Sequence, residues 1–276
     1  MLEDFKRLAA NVAFGVRYAY LGQNRGLAHT RSGRPIFVDT SDAGVSIPMI
    51  SGGTWEPHVA RVLKRLLRSG SRMVEVGSNI GVHTIAAAAR VGPGGRVFAF
   101  EAHPRTFSLL TSTVLANGFS DRVLLHQAAA ADTDGSLPFS AETTYASGAH
   151  LVGAGIRPGG AEVLEVPAIR LDTALADQFG KIDVLRMDTE GAEPLILRGA
   201  RNLIASCPNL KILTEWAPPM MEAFADVRTH LDELEGAGFR ARQVTPLGRL
   251  APISREELLS ATLCEVLFER SSRRDL

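Results

Sequence analysis

Beyond about residue 58 the chain alternates between short apolar runs and stretches with helical spacing. The runs Met73–Val76, Val97–Glu101, Val123–His126, Ile182–Met187 and Leu210–Glu215 are mostly apolar, and a polar or glycine-containing turn follows each. Between them Thr84–Arg90, Arg105–Asn117 and Ala192–Ala205 carry the helical pattern. That rhythm predicts a parallel sheet with helices on both faces. Phe239–Thr245 and Leu263–Glu269 read as two further strands, joined by a turn and the short stretch Ser254–Ser260. Residues 133–170 break the rhythm. TYASGAHLVGAGIRPGG at their centre is rich in Gly and Ser and has little period, which predicts a long inserted loop with Val163–Ile169 as a short extra strand.

Upstream, Leu8, Val12, Val16 and Tyr20 recur every four residues and form one apolar stripe on a helix. Residues 27–57 are rich in Gly, Pro, Ser and Thr, with apolar runs at Ile36–Val38 and Val45–Met49, and read as a hairpin-like lead-in. The expected division is therefore residues 1–57, helix and lead-in, and residues 58–276, one α/β domain. The stripe suits packing on its own domain, a homodimer contact or a lid over a site. The uncharged stretch Leu8–Val16 is too short to cross a bilayer, and Glu3, Asp4 and the lack of a small-residue cleavage site argue against a secretory signal. A cytoplasmic protein without stable membrane association is expected.

Composition narrows the classes. With 276 residues and 45% of them hydrophobic, the chain can bury a sizeable core and is not a disordered one. Cys207 and Cys264 are the two cysteines, too few and too far apart for a disulfide scaffold or a zinc site. Thirty basic residues balance thirty acidic ones, so no global charge favours nucleic acid or an anionic surface.

MVEVGSNIGVHT, residues 73–84, carries the clearest chemistry: a buried strand, a glycine turn and a helix start. Gly77 permits the sharp turn and Gly81 a close approach of helix and backbone. Asn79 stands where a dinucleotide fingerprint has its middle glycine, so a pyrophosphate loses its close backbone approach. Glu101 ends the next strand, where an acid can accept hydrogen bonds from ribose hydroxyls, and Glu75 could attract an ammonium group. Together these residues describe an S-adenosylmethionine pocket.

In VLRMDTEGAEPLILRGA, residues 184–200, a hydrophobic strand ends in Asp188, and Glu190 and Glu193 follow at a helix start. Acids there complement the helix dipole, which accounts for Glu193. Asp188 instead lies at a strand end where ligands bind, and Glu215 ends the adjacent strand. Two neighbouring carboxylates are costly unless they hold a cation or share a proton.

VEVGSNIGVHT, VFAFEAHPRTFSLL with Asn117, AAAADTDG and above all MDTEGAEPLILRGA resemble the FkbM family of methyltransferases over roughly residues 52–217. Trp55-Glu56-Pro57 matches the family's upstream segment. The resemblance implies a class I, Rossmann-like sheet of seven mostly parallel strands, with helices on both faces and an antiparallel C-terminal strand pair. It also implies S-adenosylmethionine-dependent O-methylation, often of sugars or natural-product scaffolds. Cofactor-binding positions carried over are Glu56, Glu75, Gly77, Ser78, Asn79, Gly81, Glu101, Ala102, His103, Ala129 and Asp188. Glu75, Ser78 and His103 depart from the family's usual Asp, Ala and Asn.

A sugar hydroxyl needs a base or a metal to shed its proton. Asp188 and Glu215 are the candidates, as general base or as ligands to Mg2+, which favours oxygen donors. Glu190 is a third candidate, with a structural role as the alternative. His150, in the insert beside Tyr145 and Ser147, is placed either to act as a base or to lie exposed on its loop. Among the other histidines, His58 suits the helix before the first strand, His83 the cofactor pocket or a helical turn, and His126 a strand. Trp55 and Trp216 read either as stacking surfaces or as packing. The expected partner is a small hydroxyl acceptor and not nucleic acid; a methyltransferase of RNA, protein or nitrogen acceptors and a non-methylating nucleotide-binding protein are the alternatives.

Overall fold

The computed structural model describes residues 18–141, 150–152 and 162–270. The expected N-terminal helix, with Leu8, Val12 and Val16 and the homodimer contact drawn from it, lies outside that range. Tyr20, the last member of the stripe, is described, and it sits in a strand rather than a helix. Strands β1 (Tyr18–Gly22), β2 (Arg25–His29) and β3 (Pro35–Asp39) form an antiparallel three-stranded sheet. Val45–Met49 falls mainly in helix α1 (Ser46–Gly52), not in a hairpin arm. Ala28, Ile36, Val38, Val45 and Met49 are buried together with Ile80 and Leu109, so the lead-in shares its core with the domain it precedes.

Helix α2 (Pro57–Leu66) leads into β4 (Arg72–Val76), α3 (Val82–Val91), β5 (Arg96–Phe100), α4 (Pro104–Ala116) and β6 (Val123–His126). A second sheet follows, built from β7 (Ala129–Ala130), β8 (Gly135–Ala141), β9 (His150–Leu151) and β10 (Glu162–Ile169) in the order β7-β10-β8-β9. The stretch expected to be a loop is thus partly sheet. Its alternation is carried by scattered residues, and Phe139, Leu151, Val166 and Ala168 bury one face among glycines and serines. Tyr145 and Ser147 lie outside the described residues. Helix α5 (Leu171–Ala174) then precedes β11 (Val184–Met187), α6 (Glu193–Arg198), α7 (Arg201–Ser206), β12 (Lys211–Trp216), α8 (Pro218–Met221) and α9 (Val227–Gly236). Strand β13 (Phe239–Val244), β14 (Leu250–Pro252), helix α10 (Arg255–Ser260) and β15 (Cys264–Arg270) complete the chain.

The main sheet runs β14-β13-β15-β12-β11-β4-β5-β6. Strands β6, β5, β4, β11 and β12 pair in parallel, and β15 inserts antiparallel between β12 and β13. Seven of these strands make the expected class I methyltransferase sheet with its antiparallel C-terminal pair. The eighth, β14, was not expected: it is three residues long and ends in Pro252, at an edge where proline is tolerated and periodicity has nothing to act on. Alternate residues serve the two faces. Val74, Phe98, Leu185 and Ile212 enter one core, and Met73, Val97, Val184 and Leu213 the other. The expected continuous helix Ala192–Ala205 is interrupted at Gly199-Ala200. A Cβ on Gly199 would lie 1.9 Å from the Ala131 carbonyl oxygen, so close packing there, not local preference, shapes the break.

Candidate active site

The carboxyl ends of β4, β5, β11 and β12 open onto one cavity of about 400 Å³. In open parallel sheets this is where ligands bind. Of the cofactor positions expected, Glu56, Glu75, Gly77, Ser78, Asn79, Glu101, Ala102, Ala129 and Asp188 all line it, and so do Glu190 and Glu215. Gly77 has φ 78°, and a Cβ there would lie 1.9 Å from the Asp188 carbonyl oxygen; the ends of β4 and β11 meet only because it is glycine.

Gly81 and His103 stand behind the wall instead. Gly81 ends the turn before α3, where a Cβ would meet Leu110 of α4 at 2.8 Å. His103 caps α4, its Nδ1 accepting from the Thr106 backbone N–H at 3.4 Å. Its own backbone N–H donates to Glu101 Oε1 at 2.8 Å, while that of Asn79 donates to Oε2 at 3.0 Å. Glu101 is therefore fixed by two amides at the edge of the cavity, and burial pushes its pKa up to about 7. Glu75 is buried and accepts from the Thr84 hydroxyl at 2.5 Å; burial raises its pKa against the pull of Arg186.

Arg186 was missed by the sequence reading. It lies in β11 with its side chain 2% exposed, and its Nη2 donates to Glu56 Oε2 at 2.9 Å and to Asp188 Oδ2 at 3.0 Å. A buried guanidinium without partners would cost several kcal/mol, so an Arg inside the apolar run VLRM was itself a signal that carboxylates converge there. Burial works against the charge of Arg186, but Asp188, Glu56, Glu265 and Glu75 outweigh it and raise its pKa. Glu56 sits at the N-cap of α2 with φ 41° and also bonds His83 Nε2 at 3.1 Å. Burial would raise its pKa, but His83 and Arg186 hold it down to about 2.

On the far side of Arg186, Asp188, Glu190 and Glu215 each place a carboxylate oxygen within 4.8 Å of the others. The sequence paired Asp188 with Glu215; the fold adds Glu190, on a left-handed backbone at φ 55°. Burial, then the charges of Asp188, Glu193 and Glu56, pushes Glu190 up to about 7. Burial followed by the neighbouring acids pushes Glu215 up to about 10, and its buried Oε2 meets no hydrogen-bond partner among the described residues. Glu265, opposite Glu215 in the β12–β15 register, is pushed up to about 8, chiefly by burial. Such a group favours either bound protons or a bound cation. Asp188 is also raised by burial, against the hydrogen bond from Arg186.

Other readings are resolved by position. Glu193 lies in the first turn of its helix, as expected of an acid that complements the dipole; it is also buried and accepts from the Thr189 N–H at 2.9 Å and hydroxyl at 2.8 Å, bracing the turn that carries Glu190. His150, on β9, stands opposite Ser140 of β8, and it is Leu151, its neighbour, that lines the cavity. Trp216 is packing: it is 1% exposed and its Nε1 donates to the Leu258 carbonyl at 2.9 Å. Trp55 lines the cavity, as does His83, while His126 stacks on Phe100 with ring centroids 4.3 Å apart.

Among the described residues no helix is long and apolar enough to cross a membrane. Three solved structures overlap the chain. A SAM-dependent O-methyltransferase from Thermotoga maritima is 16% identical, with 90% of this chain and 78% of that one covered and a TM-score of 0.43. A putative transferase from Pyrococcus horikoshii is 12% identical, with 97% and 83% covered and a TM-score of 0.49. A putative rRNA methylase from Clostridium thermocellum is 12% identical, with 78% and 95% covered and a TM-score of 0.48. Overlaps this loose do not discriminate among acceptors. No curated protein matches the sequence. The sequence profile of the methyltransferase FkbM domain does match, over residues 75–241. That span runs from β4 into β13 and includes the glycine turn, Glu101, Arg186 and the three clustered acids; the chain belongs to the FkbM family of S-adenosylmethionine-dependent methyltransferases.

Proposed function

We propose that this methyltransferase acts on a hydroxyl oxygen of a small molecule, such as a sugar or a natural-product scaffold. The observation that carries the reading is the group Asp188, Glu190 and Glu215 in the same cavity as Glu101. The residues suit S-adenosylmethionine: the turn at Gly77 is close and lacks the middle glycine a pyrophosphate needs, and the amide-braced Glu101 keeps lone pairs for ribose hydroxyls. The surrounding carboxylates favour a sulfonium cation. When bound, the donor supplies an electrophilic methyl group, which passes to the acceptor oxygen as the C–S bond breaks and its electron pair stays on sulfur.

In this reading the acids divide the work. Glu215, pushed up to about 10, carries a proton at neutral pH and serves as a hydrogen-bond donor. Asp188 is oriented by Arg186 and holds the acceptor hydroxyl. Glu190, poised at about 7, takes the hydroxyl proton, since a base works best with a pKa near the working pH. A divalent ion on the same three carboxylates would acidify the hydroxyl instead, and their 4.8 Å spacing favours keeping that second reading.

The test is calorimetry with S-adenosylmethionine, followed by donor turnover against a panel of sugars, phenols, amines and RNA. Binding of the sulfonium compound and methylation of a hydroxyl are expected. Methylation confined to amines or RNA would overturn the acceptor assignment. Loss of turnover on chelation, restored by Mg2+, would assign the acids to the metal.

A further inference from the structure

A second cavity, of about 470 Å³, lies outside the donor site, between α2, α3 and the turn joining β2 to β3. Its floor is apolar, with Leu63, Leu67 and Ile85 from the two helices. Its rim carries Arg31, Arg34, Lys64 and Arg90, and among the described residues no carboxylate lines it. None of these four cations meets an acid within 4 Å among the described residues. Arg31 and Arg90 donate only to backbone carbonyls, and Arg34 lies over the Phe119 ring at 5.0 Å. Surface arginines and lysines ordinarily mix with acids, as Arg255 does with Asp232 and Glu235.

The two cavities share a wall made by Trp55, Val82 and His83. His83 is 4% exposed; its Nε2 is taken by Glu56, and its Nδ1 meets no partner among the described residues. A buried ring nitrogen left unsatisfied in that wall is a polar contact available to a bound molecule.

We propose that this second cavity holds the body of the methyl acceptor, and that the acceptor is an amphipathic anion: an apolar chain or ring bearing a phosphate or carboxylate. The apolar floor takes the body, the four cations take the anion, and the reacting hydroxyl reaches past Trp55 to the acids of the donor cavity. Charge complementarity selects this occupant, because a neutral sugar would leave unmatched four cations that meet no acid among the described residues, and a cation would be repelled. The acceptor role rests on the methyl-transfer reading above; the binding of an amphipathic anion does not.

The probe is octyl phosphate below its micelle concentration, with octanol, octylammonium and a single-stranded RNA oligonucleotide as controls. Binding is followed by calorimetry and by fluorescence, which reports on Trp55 because Trp216 is buried. One molecule of octyl phosphate is expected to bind, while octanol and octylammonium bind much more weakly. Lys64→Glu with Arg90→Glu should weaken it about tenfold or more, the loss expected for charge-assisted contacts. Ala86→Trp, at an exposed position on the rim, should block it without changing S-adenosylmethionine affinity. Equal binding of octylammonium, indifference to Ala86→Trp, or displacement of S-adenosylmethionine by octyl phosphate would overturn the proposal. Preferential binding of the RNA would also overturn it, in favour of a nucleic-acid partner. A protein that binds octyl phosphate but not S-adenosylmethionine would sink the methyl-transfer reading and leave the anion site standing.

Discussion

The two cavities meet at Trp55 and His83 yet differ in everything else. In the first, six carboxylates surround one buried arginine, and burial has shifted the ionisation of most of them. In the second, four cations stand exposed or half-exposed around an apolar floor. The same types of charge do different work because their surroundings differ. Inside, Arg186, Glu56, Glu75 and Glu101 are fixed by partners and costly to disturb; at the rim, water screens a charge and leaves it free to meet a ligand. The overall balance of thirty against thirty conceals this separation.

The comparison breaks most visibly at Arg186. Arg186→Met leaves the half-buried Glu56 and Asp188 without their shared partner and is expected to cost about 2–3 kcal/mol, read as a large drop in the thermal midpoint. An unchanged midpoint would mean that the acids do not depend on it. Next in size is chemistry: Glu190→Gln should lower kcat about a hundredfold with a confirmed acceptor and remove the acidic limb near pH 7 from the rate profile. Asp188→Asn should lower turnover comparably with little effect on donor affinity.

Glu101→Ala should instead weaken S-adenosylmethionine binding by about tenfold to a hundredfold, the worth of hydrogen bonds to a charged group. Calorimetry reads that directly. A separate effect, read in neither rate nor affinity, is the pH dependence of stability. Burial and neighbouring acids push Glu215, Glu265 and Glu190 up to about 10, 8 and 7, from the 4.5 of an ordinary glutamate. The folded chain thus keeps protons that the unfolded chain releases. This contribution is complete below the ordinary value and is lost as pH rises through 7 to 10. The donor-free protein should melt progressively lower from about pH 5 to about pH 9, and Glu215→Gln should flatten the alkaline part of that slope. The smallest change is expected on the other side of the shared wall, where Lys64→Met should alter stability by less than about 0.5 kcal/mol.

Several of these residues were legible in the sequence. Gly77, Glu101 and Asp188 announce themselves because each closes a mostly apolar run, and strand ends in a parallel sheet converge on one edge. Glu190 was visible as a candidate but not as a neighbour of Glu215, since its place depends on the left-handed backbone of the turn that Glu193 braces. Arg186 was written in VLRM and passed over, because a strand run is read by its apolar members. The second sheet was hidden because β7, β8 and β9 are short or interrupted by glycine and serine, and their pairing partners are distant along the chain.

The sequence alone determined the alternation of strands and helices, the glycine turn, and which acids end which strands. Those features follow from local geometry: side-chain period, backbone freedom at glycine, and the distaste of a buried strand for charge. Only the tertiary structure decided how the acids share their charge, in which direction burial pushes their ionisation, and that a basic groove lies against the acidic one. Burial and ionisation are set by what packs around a group, and Arg186 reaches Glu56 across 130 positions of chain that no local pattern can span.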